Sequence, residues 1–197
     1  LGFYRYDYDN TIITVYLSRP AAPGDTAYLV FDFRTVLPRQ AQARMGYEYG
    51  VTKAAYWYPQ VCVYDHKLGW VNSQYVFWGE CYGDFGTFDV FITAPEDQVV
   101  AATGVLINEN EVIPDSVRAM LDIKNFLKPR EEQLIYDFDP AKTKTWHYYA
   151  ENVNDFVFTA SNIFCIDTGS VNGVEVVAYP LRYKAAAWVD AVRLGKE

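Results

Sequence analysis

Histidine is scarce in this chain of 197 residues, which contains only two, His66 and His147. They lie far apart, and the sequence lacks the HExxH pattern, in which two imidazoles one helical turn apart hold zinc and the glutamate is the general base. The GxSxG nucleophile turn and the glycine-rich loops that cradle phosphate, GxxxxGK[ST] and GxGxxG, are also missing. We therefore expect no catalytic residue, no metal ligand and no cofactor in this chain alone.

Positively charged residues are also few. The chain has 17 Lys and Arg against 25 Asp and Glu, and its net charge is −8. A nucleic-acid backbone or an anionic membrane surface would need clustered cations. No apolar run approaches the roughly 20 residues that cross a bilayer, and no signal peptide is recognisable. The sequence thus predicts no nucleic-acid partner and no membrane span. Because it opens at Leu1 on strand-like sequence, we expect a fragment of a longer protein.

Cysteine is also infrequent, with three residues, Cys62, Cys81 and Cys165. Their number is odd, their spacing is not that of a metal site, and each lies in an apolar run. The simplest interpretation is that all three are buried, inert thiols.

Aromatic residues, by contrast, make up 17% of the chain, and half of all residues are apolar. Aromatic and β-branched side chains favour the pleated, half-buried surface of a sheet. The sequence predicts one β-rich domain over residues 1–197, with an all-β fold of mainly antiparallel packed sheets.

Strand patterns recur along the chain. Apolar and polar residues alternate over Thr26 to Thr35, and we expect this run to form a hairpin with Thr11 to Leu17. Pro59 should mark an edge, bend or bulge in the run from Ala54 to Asp65. Asn172-Gly173 is a strong two-residue turn signal, because both residues tolerate positive φ. Further strands are predicted at Tyr75 to Trp78, Phe88 to Ala94, Val99 to Ile107, Thr145 to Asn152 and Asp155 to Ala160.

Two segments have helical patterns instead. Pro114 to Leu127 begins with a proline and places apolar residues on one face, which predicts one short internal helix. Tyr183 to Glu197 predicts a C-terminal helix with Gly195 as its terminator.

The acidic loops and the aromatic clusters each allow a specific binding or catalytic function as an alternative to a purely structural role. Glu80, Asp84 and Asp89, and the run from Asp137 to Pro140, are compatible with a calcium site or a glycosidase carboxylate pair, but solvated loop acids that cap turns are favoured. The aromatic run from Tyr56 to Tyr58, together with Trp78, is compatible with a sugar-stacking platform, whereas core packing is favoured.

Several strings, taken together and in order, give the chain a family resemblance over nearly its whole length. It resembles the N-terminal domain of bacterial aminopeptidase-N-like zinc peptidases of the gluzincin type, most closely the short versions of Bacteroidetes-type bacteria. The strings are RMG (Arg44 to Gly46), WYPQVCVYD (Trp57 to Asp65), GW (Gly69 and Trp70), GECYGDFGTFDVFITAP (Gly79 to Pro95), VVAATG (Val99 to Gly104) and TWHYYAENVNDFVFTAS (Thr145 to Ser161).

The resemblance implies a saddle-like sandwich of packed sheets that walls the substrate cleft and packs on a downstream catalytic domain. Zinc, the general base and the peptide substrate's reacting bond would belong to that domain of the parent polypeptide. In the family a Gln or Glu shortly before the segment that matches Trp57 to Asp65 helps to hold the substrate's free amino group. Here Lys53 stands in that neighbourhood and would repel an ammonium group, so Gln60, the nearest amide, is the candidate for that contact. The expected substrate-binding set is Lys53, Trp57, Tyr58 and Gln60. The resemblance also leads us to expect the periplasm or cell envelope of a bacterium.

Two other functions stay open at this point. A family relative without a zinc motif would act as a non-enzymatic scaffold. An independent β-sandwich module that binds carbohydrate or protein would present Trp57, Tyr58 or Trp78 on a concave, exposed face.

Overall fold

The computed structural model describes residues 3–40, 44–76, 79, 81–128, 139 and 141–197. This part of the chain is mostly antiparallel β-structure with a few short helices, which confirms the predicted all-β class. The chain divides into two compact units. The first comprises Leu1–Val36 and Tyr58–Phe85, and the second comprises Leu37–Trp57 and Gly86–Glu197.

The strands of the described residues are, in chain order, β1 Phe3–Asp9, β2 Ile12–Leu17, β3 Gly46–Glu48, β4 Val51–Ala54, β5 Tyr64–Asp65, β6 Gly69–Trp70, β7 Gly86–Pro95, β8 Val99–Ala102, β9 Val105–Leu106, β10 Thr143–Val153, β11 Phe158–Ser161, β12 Asp167–Val171 and β13 Val174–Ala178. The helices are α1 Glu109–Val112, α2 Asp115–Leu121, α3 Ala185–Trp188 and α4 Ala191–Gly195, with single turns of 3-10 helix at Ile123–Phe126 and Arg182–Lys184. None of these helices is long and apolar enough to cross a membrane.

The first unit contains two small antiparallel hairpins, β1-β2 and β5-β6. The predicted pairing of Thr11 to Leu17 with Thr26 to Thr35 is wrong. β2 pairs with β1 instead, across a tight turn in which Asn10 has φ +53°, and within the described residues Thr26 to Thr35 forms no ladder with β2. The reason is local: a two-residue turn closes a hairpin with less lost chain entropy than the longer connection from Ser18 to Asp25.

The second unit contains two larger sheets, with strand orders β7-β10-β9 and β3-β4-β11-β8. β10 alternates strictly, so that Trp146, Tyr148 and Ala150 are buried while the residues between them face outward. The Tyr148 hydroxyl donates to the Val100 carbonyl oxygen at 2.7 Å, which ties the inner face of β10 to β8. Phe156 is fully buried against Phe88, with ring centroids 5.9 Å apart.

The C-terminal part of the second unit has its own small core. Ile123, Phe126, Cys165 and Ala185 form a buried cluster. The β12-β13 hairpin turns at Asn172-Gly173, where the φ angles of +51° and +80° confirm the predicted two-residue turn.

Three other sequence predictions need correction. The predicted strand from Val99 to Ile107 is two strands, because Gly104 has φ +92° and breaks the run. The internal helix is present but ends at Leu121, since the side chain of Asp122 accepts from the Lys124 N–H and starts a 3-10 turn. The predicted C-terminal helix is divided into a 3-10 turn and two short helices, α3 and α4.

The cysteine prediction holds for only one residue. Cys165 is fully buried, but Cys62 is half-buried and Cys81 is exposed. An apolar neighbourhood in sequence was therefore not enough to predict burial at Cys62 and Cys81.

Candidate functional site

The exposed face of the β7-β10-β9 sheet combines apolar, aromatic and charged side chains, and we call it the outer face. The strand register sets its rows, because residues directly opposite each other share a face. The rows are Asp89, Tyr149 and Val105, then Phe91, His147 and Ile107, then Thr93 and Thr145. Phe91, Val105 and Ile107 are 62%, 66% and 53% exposed, so this face presents large apolar side chains to solvent.

His147 is the centre of the outer face. Its Nε2 lies 2.6 Å from Oδ1 of Asp89, and its ring stacks on Phe91 with centroids 4.2 Å apart and planes 15° from parallel. The imidazole is therefore held by two neighbours on β7, one polar and one aromatic. His147 lies in β10, within the strand predicted from Thr145 to Asn152.

Asn108 extends the sheet beyond the end of β9. Its Oδ1 accepts from the backbone N–H of His147 at 2.9 Å, and its Nδ2 donates to the Thr145 carbonyl oxygen at 2.9 Å. An asparagine amide can take both roles of a peptide unit in a ladder. Asn108 thus hydrogen-bonds to the backbone of β10 at Thr145 and His147, where β9 has already ended.

Tyr149 and Glu151 form the second polar pair of this face. The Tyr149 hydroxyl donates to Oε1 of Glu151 at 2.5 Å. This hydrogen bond raises the pKa of Tyr149 above its ordinary value, because the carboxylate favours the protonated phenol. Both acids next to the exposed aromatics, Asp89 and Glu151, are therefore engaged with side chains of β10.

An open hollow of about 600 Å³ lies beside the outer face, next to α1. Phe91 and Ile107 line its apolar side, and Glu111 and Lys144 line its polar side. Lys144 Nζ lies 3.4 Å from the carbonyl oxygen of Val112, and Asn108 Nδ2 lies 3.1 Å from Oε2 of Glu111. The hollow is thus an apolar surface with a charged edge.

Lys53 and Trp57, from the set that the resemblance implied, both lie in the second unit. Lys53 is an exposed residue of β4 and lines an open hollow of about 520 Å³ together with Arg44. Trp57 is half-buried: its Nε1 donates to the Phe156 carbonyl oxygen at 3.1 Å, and its ring packs edge-on against Phe158 at 5.5 Å. The indole is therefore committed to internal packing, which was the favoured interpretation of this aromatic run.

Tyr58 and Gln60, the other two residues of that set, lie in the first unit. Gln60 Nε2 donates to the Tyr58 hydroxyl at 2.8 Å, and both side chains are half-buried. Tyr58 and Gln60 are thus hydrogen-bonded to each other, and Lys53 lines a hollow together with Arg44. The substrate-binding role of all four residues stays a prediction.

The acidic loops behave as turn caps where they are described. Oδ1 of Asp84 accepts from the Phe85 N–H at 2.8 Å, and Oδ1 of Asp139 accepts from the Ala141 N–H at 3.0 Å. Asp89 is different, because it belongs to β7 and pairs with His147, so assigning it to a loop was wrong. Trp78, Glu80 and the remaining residues from Asp137 to Pro140 lie outside the described residues.

Sequence reasoning missed the outer face as a site. The two partners of the His147–Asp89 pair are 58 positions apart and meet only through the β7-β10 register. The available signal was alternation: Asp89, Phe91 and Thr93 occupy every second position of one run, and Thr145, His147 and Tyr149 do so in another. Reading those exposed positions together would have indicated a mixed aromatic and polar surface.

Comparison with known proteins finds no matching family model, no matching curated protein and no matching solved structure. Across the residues that the structure describes, no group of three or more His, Cys, Asp and Glu side chains is placed to hold a metal ion.

Proposed function

We propose that this chain is the non-catalytic N-terminal domain of a zinc aminopeptidase-like metallopeptidase, which walls the substrate cleft and packs on a downstream catalytic domain through the outer face. The observation that carries this proposal is the set of exposed apolar side chains on that face, Phe91, Val105 and Ile107. Contiguous apolar surface exposed on a folded chain marks an interaction site.

The composition of the outer face suits contact between domains. Its exposed apolar side chains lie on either side of His147, and its charged groups, Asp89 and Glu151, are already hydrogen-bonded to His147 and Tyr149. If a second domain covered this face, Asp89 and Glu151 would each keep a hydrogen-bonded partner. Burying a charge is costly mainly when it has no partner. Interfaces between domains of one chain likewise combine apolar surface with hydrogen-bonded polar groups.

The family resemblance supports the same function. Three of its strings, Gly79 to Pro95, Val99 to Gly104 and Thr145 to Ser161, contain β7, β8, β11 and most of β10. Two of these strands, β7 and β10, belong to the sheet β7-β10-β9, and the other two belong to the sheet β3-β4-β11-β8, so the resembling sequence includes most of the framework that presents the outer face. Zinc chemistry in this proposal belongs to the parent polypeptide and not to this chain.

The first test reads the parent's coding sequence beyond Glu197. An HExxH motif followed by a distant glutamate is the expected result, and its absence in the full coding sequence would favour the scaffold alternative. The isolated chain should hydrolyse no aminoacyl-p-nitroanilide and retain no zinc after dialysis. Turnover by the isolated chain that a chelator abolishes would contradict the proposal.

The second test uses two matched valines in the parent polypeptide. Val105 lies on the outer face and is 66% exposed, and Val174 lies in β13 and is 62% exposed. We expect Val105→Asp to uncouple the two domains, seen as faster proteolysis between them and at least a tenfold loss of peptidase activity, because it places a charge in a covered apolar surface. Val174→Asp should stay within about twofold of the parent.

Circular dichroism of both variants in the isolated chain supplies the folding control, since neither valine is buried there. Equal activity losses in the parent would show that the outer face is not the docking surface.

A further inference from the structure

β7 lies at an edge of its sheet. The strand order is β7-β10-β9, so within the described residues β7 has a neighbouring strand on one side only. Its pairing with β10 is regular from Phe88 to Pro95, without a bulge. Asp89, Phe91 and Thr93 are exposed. A long and regular edge strand is a template for pairing with another strand.

The backbone hydrogen bonds of β10 show which groups of β7 face the open edge. The N–H of His147 donates to Oδ1 of Asn108 at 2.9 Å, and its carbonyl oxygen accepts from the Ile107 N–H at 2.8 Å. Both groups therefore point away from β7. His147 and Phe91 lie opposite each other, so they form a non-hydrogen-bonded pair, and the N–H and C=O groups of Phe91 point away from β10.

Asp89 and Thr93 share this orientation. Hydrogen-bonded and non-hydrogen-bonded pairs alternate along an antiparallel ladder, so residues two positions from Phe91 also direct their backbone groups to the open edge. None of these three residues has a backbone hydrogen bond within the described part of the chain. β7 therefore offers their N–H and C=O groups to a further strand.

We propose that β7 binds β7 of a second copy of this chain, in an antiparallel ladder centred on Phe91. This pairing goes beyond the proposed function and does not depend on it. In this register the two Phe91 residues lie opposite each other, Asp89 lies opposite Thr93, and Val90 lies opposite Ile92. The same surface then serves both copies, as a two-fold symmetric interface requires.

The side chains of β7 match those of a second β7 on both faces of the sheet. Val90 and Ile92 are half-buried on the inner face, so a pairing strand must present apolar residues there. Residues opposite each other share a face, and the second copy therefore sets apolar against apolar on that side. On the outer face the two Phe91 rings form a cross-strand aromatic pair, which stabilises a ladder. This complementarity favours a second copy as the partner.

Backbone direction and charge select the register. Centring the ladder on Val90 or Ile92 would require backbone groups that already pair with β10. Asp89 is the only charged residue of β7, and centring on it would set two carboxylates directly opposite each other, which destabilises a ladder. Centring on Thr93 would leave only the end of β7 paired, since the strand stops at Pro95. The register centred on Phe91 avoids all three problems.

A lysine at the central position tests the pairing. One strand from each copy gives a small interface, so the wild-type chain should dimerise reversibly in sedimentation equilibrium between about 10 µM and 1 mM. Phe91→Lys sets two ammonium groups opposite each other and should weaken the dimer at least about tenfold. Val105→Lys is the control, because Val105 is as exposed on the same face but belongs to β9, and this variant should stay within about twofold of the wild type.

General electrostatics gives the opposite result for Phe91→Lys. This variant makes the net charge of −8 less negative, so non-specific association should strengthen. Circular dichroism of both variants supplies the folding control. Equal weakening by the two lysines would assign the association to the outer face as a whole. That result, or a wild-type chain that stays monomeric up to 1 mM, overturns the proposal.

A lysine at Thr93 should have the reverse effect. In the proposed register it lies opposite Asp89 of the second copy, and two such pairs form, so Thr93→Lys should tighten the dimer about tenfold. Thr145→Lys is the matched control, since it changes the net charge equally and removes the same hydrogen bond between the two threonine hydroxyls, 2.8 Å apart, but lies on β10. Equal tightening by both variants would contradict the register.

Cross-linking locates the two-fold axis independently. In a background carrying Cys62→Ser and Cys81→Ser, Phe91→Cys brings two cysteines together at the central pair, about 5.5 Å apart between Cα atoms, which suits a disulfide. Thr93→Cys is the control, because its copy lies four residues away along the partner strand, about 13 Å distant. Oxidation should link the first variant and not the second. Equal linking of both would contradict the central position of Phe91.

Discussion

Among the glycines of the second unit, Gly104 is the one at which replacement by alanine should lower the free energy of unfolding most. It connects β8 to β9 with φ +92°, a conformation that residues with a Cβ rarely adopt. A Cβ added here would lie 2.8 Å from the Cβ of Ala150 and closer still to the carbonyl oxygen of Tyr149. Because the obstacle is the backbone of β10, no side-chain rotation can relieve the contact.

Gly173 is the matched control. It has φ +80° in the β12-β13 turn of the same unit, and an added Cβ would meet nothing within 4 Å. Alanine at positive φ costs about 1–2 kcal/mol, of which about 0.4–1 kcal/mol is offset by the smaller entropy of the unfolded chain. Gly173→Ala should therefore lower the free energy of unfolding by about 1 kcal/mol.

Gly104→Ala adds the steric overlap to the same backbone strain. Forcing an extra methyl into a packed site costs about 1–3 kcal/mol, so the total reaches about 2–4 kcal/mol. A loss of about 3 kcal/mol corresponds to a Tm lower by roughly 6–12 °C in a domain of this size. Urea unfolding followed by tryptophan fluorescence measures both variants. Equal losses at Gly104 and Gly173 would refute the reasoning, since only the overlap separates them.

Two further outcomes follow from buried polar groups. Tyr148→Phe removes the hydroxyl that donates to the Val100 carbonyl oxygen, so it should lower the free energy of unfolding in urea by about 1–3 kcal/mol. Tyr149→Phe removes an exposed hydroxyl and should lower it by less than about 0.5 kcal/mol. Desolvation by burial raises the pKa of Cys165 from 9.0 to about 11, so the unfolded chain ionises first as pH rises. The stability from this thiol is complete below pH 9 and is lost between pH 9 and about 11. Unfolding measured across that range should show a flatter pH dependence for Cys165→Ala than for the wild type, and an identical slope would contradict the assignment.

Much of the fold follows from local signals. Alternation in Phe88 to Ala94 and in Thr145 to Asn152 predicted β7 and β10, and Asn172-Gly173 predicted the β12-β13 turn. In each case the signal and the structure involve the same few residues. The same reasoning failed to identify the partner of Thr11 to Leu17, because alternation reports which side chains share a face and not which strand lies alongside.

The candidate site was less accessible to sequence reasoning. Asp89 lies close to a glycine-rich stretch, and only the strand register shows that it faces β10 and meets His147. Trp57 was easier to assign, because an aromatic residue in an apolar run is expected to pack, and it does so against Phe158. Pairings that depend on register are set by strands far apart in the chain, so no window of sequence contains them.

Docking through the outer face should respond little to salt. The carboxylates of Asp89 and Glu151 are hydrogen-bonded to His147 and Tyr149, so a partner domain would bind mainly through apolar atoms, which salt does not screen. Raising the ionic strength from about 0.1 to 1 M shortens the screening length from about 10 to 3 Å. In the parent polypeptide, proteolysis between the two domains should therefore be no faster at 1 M salt than at 0.1 M, relative to a control substrate of the same protease. Clearly faster cleavage at high salt would assign the docking to charged groups and not to the exposed apolar side chains of this face.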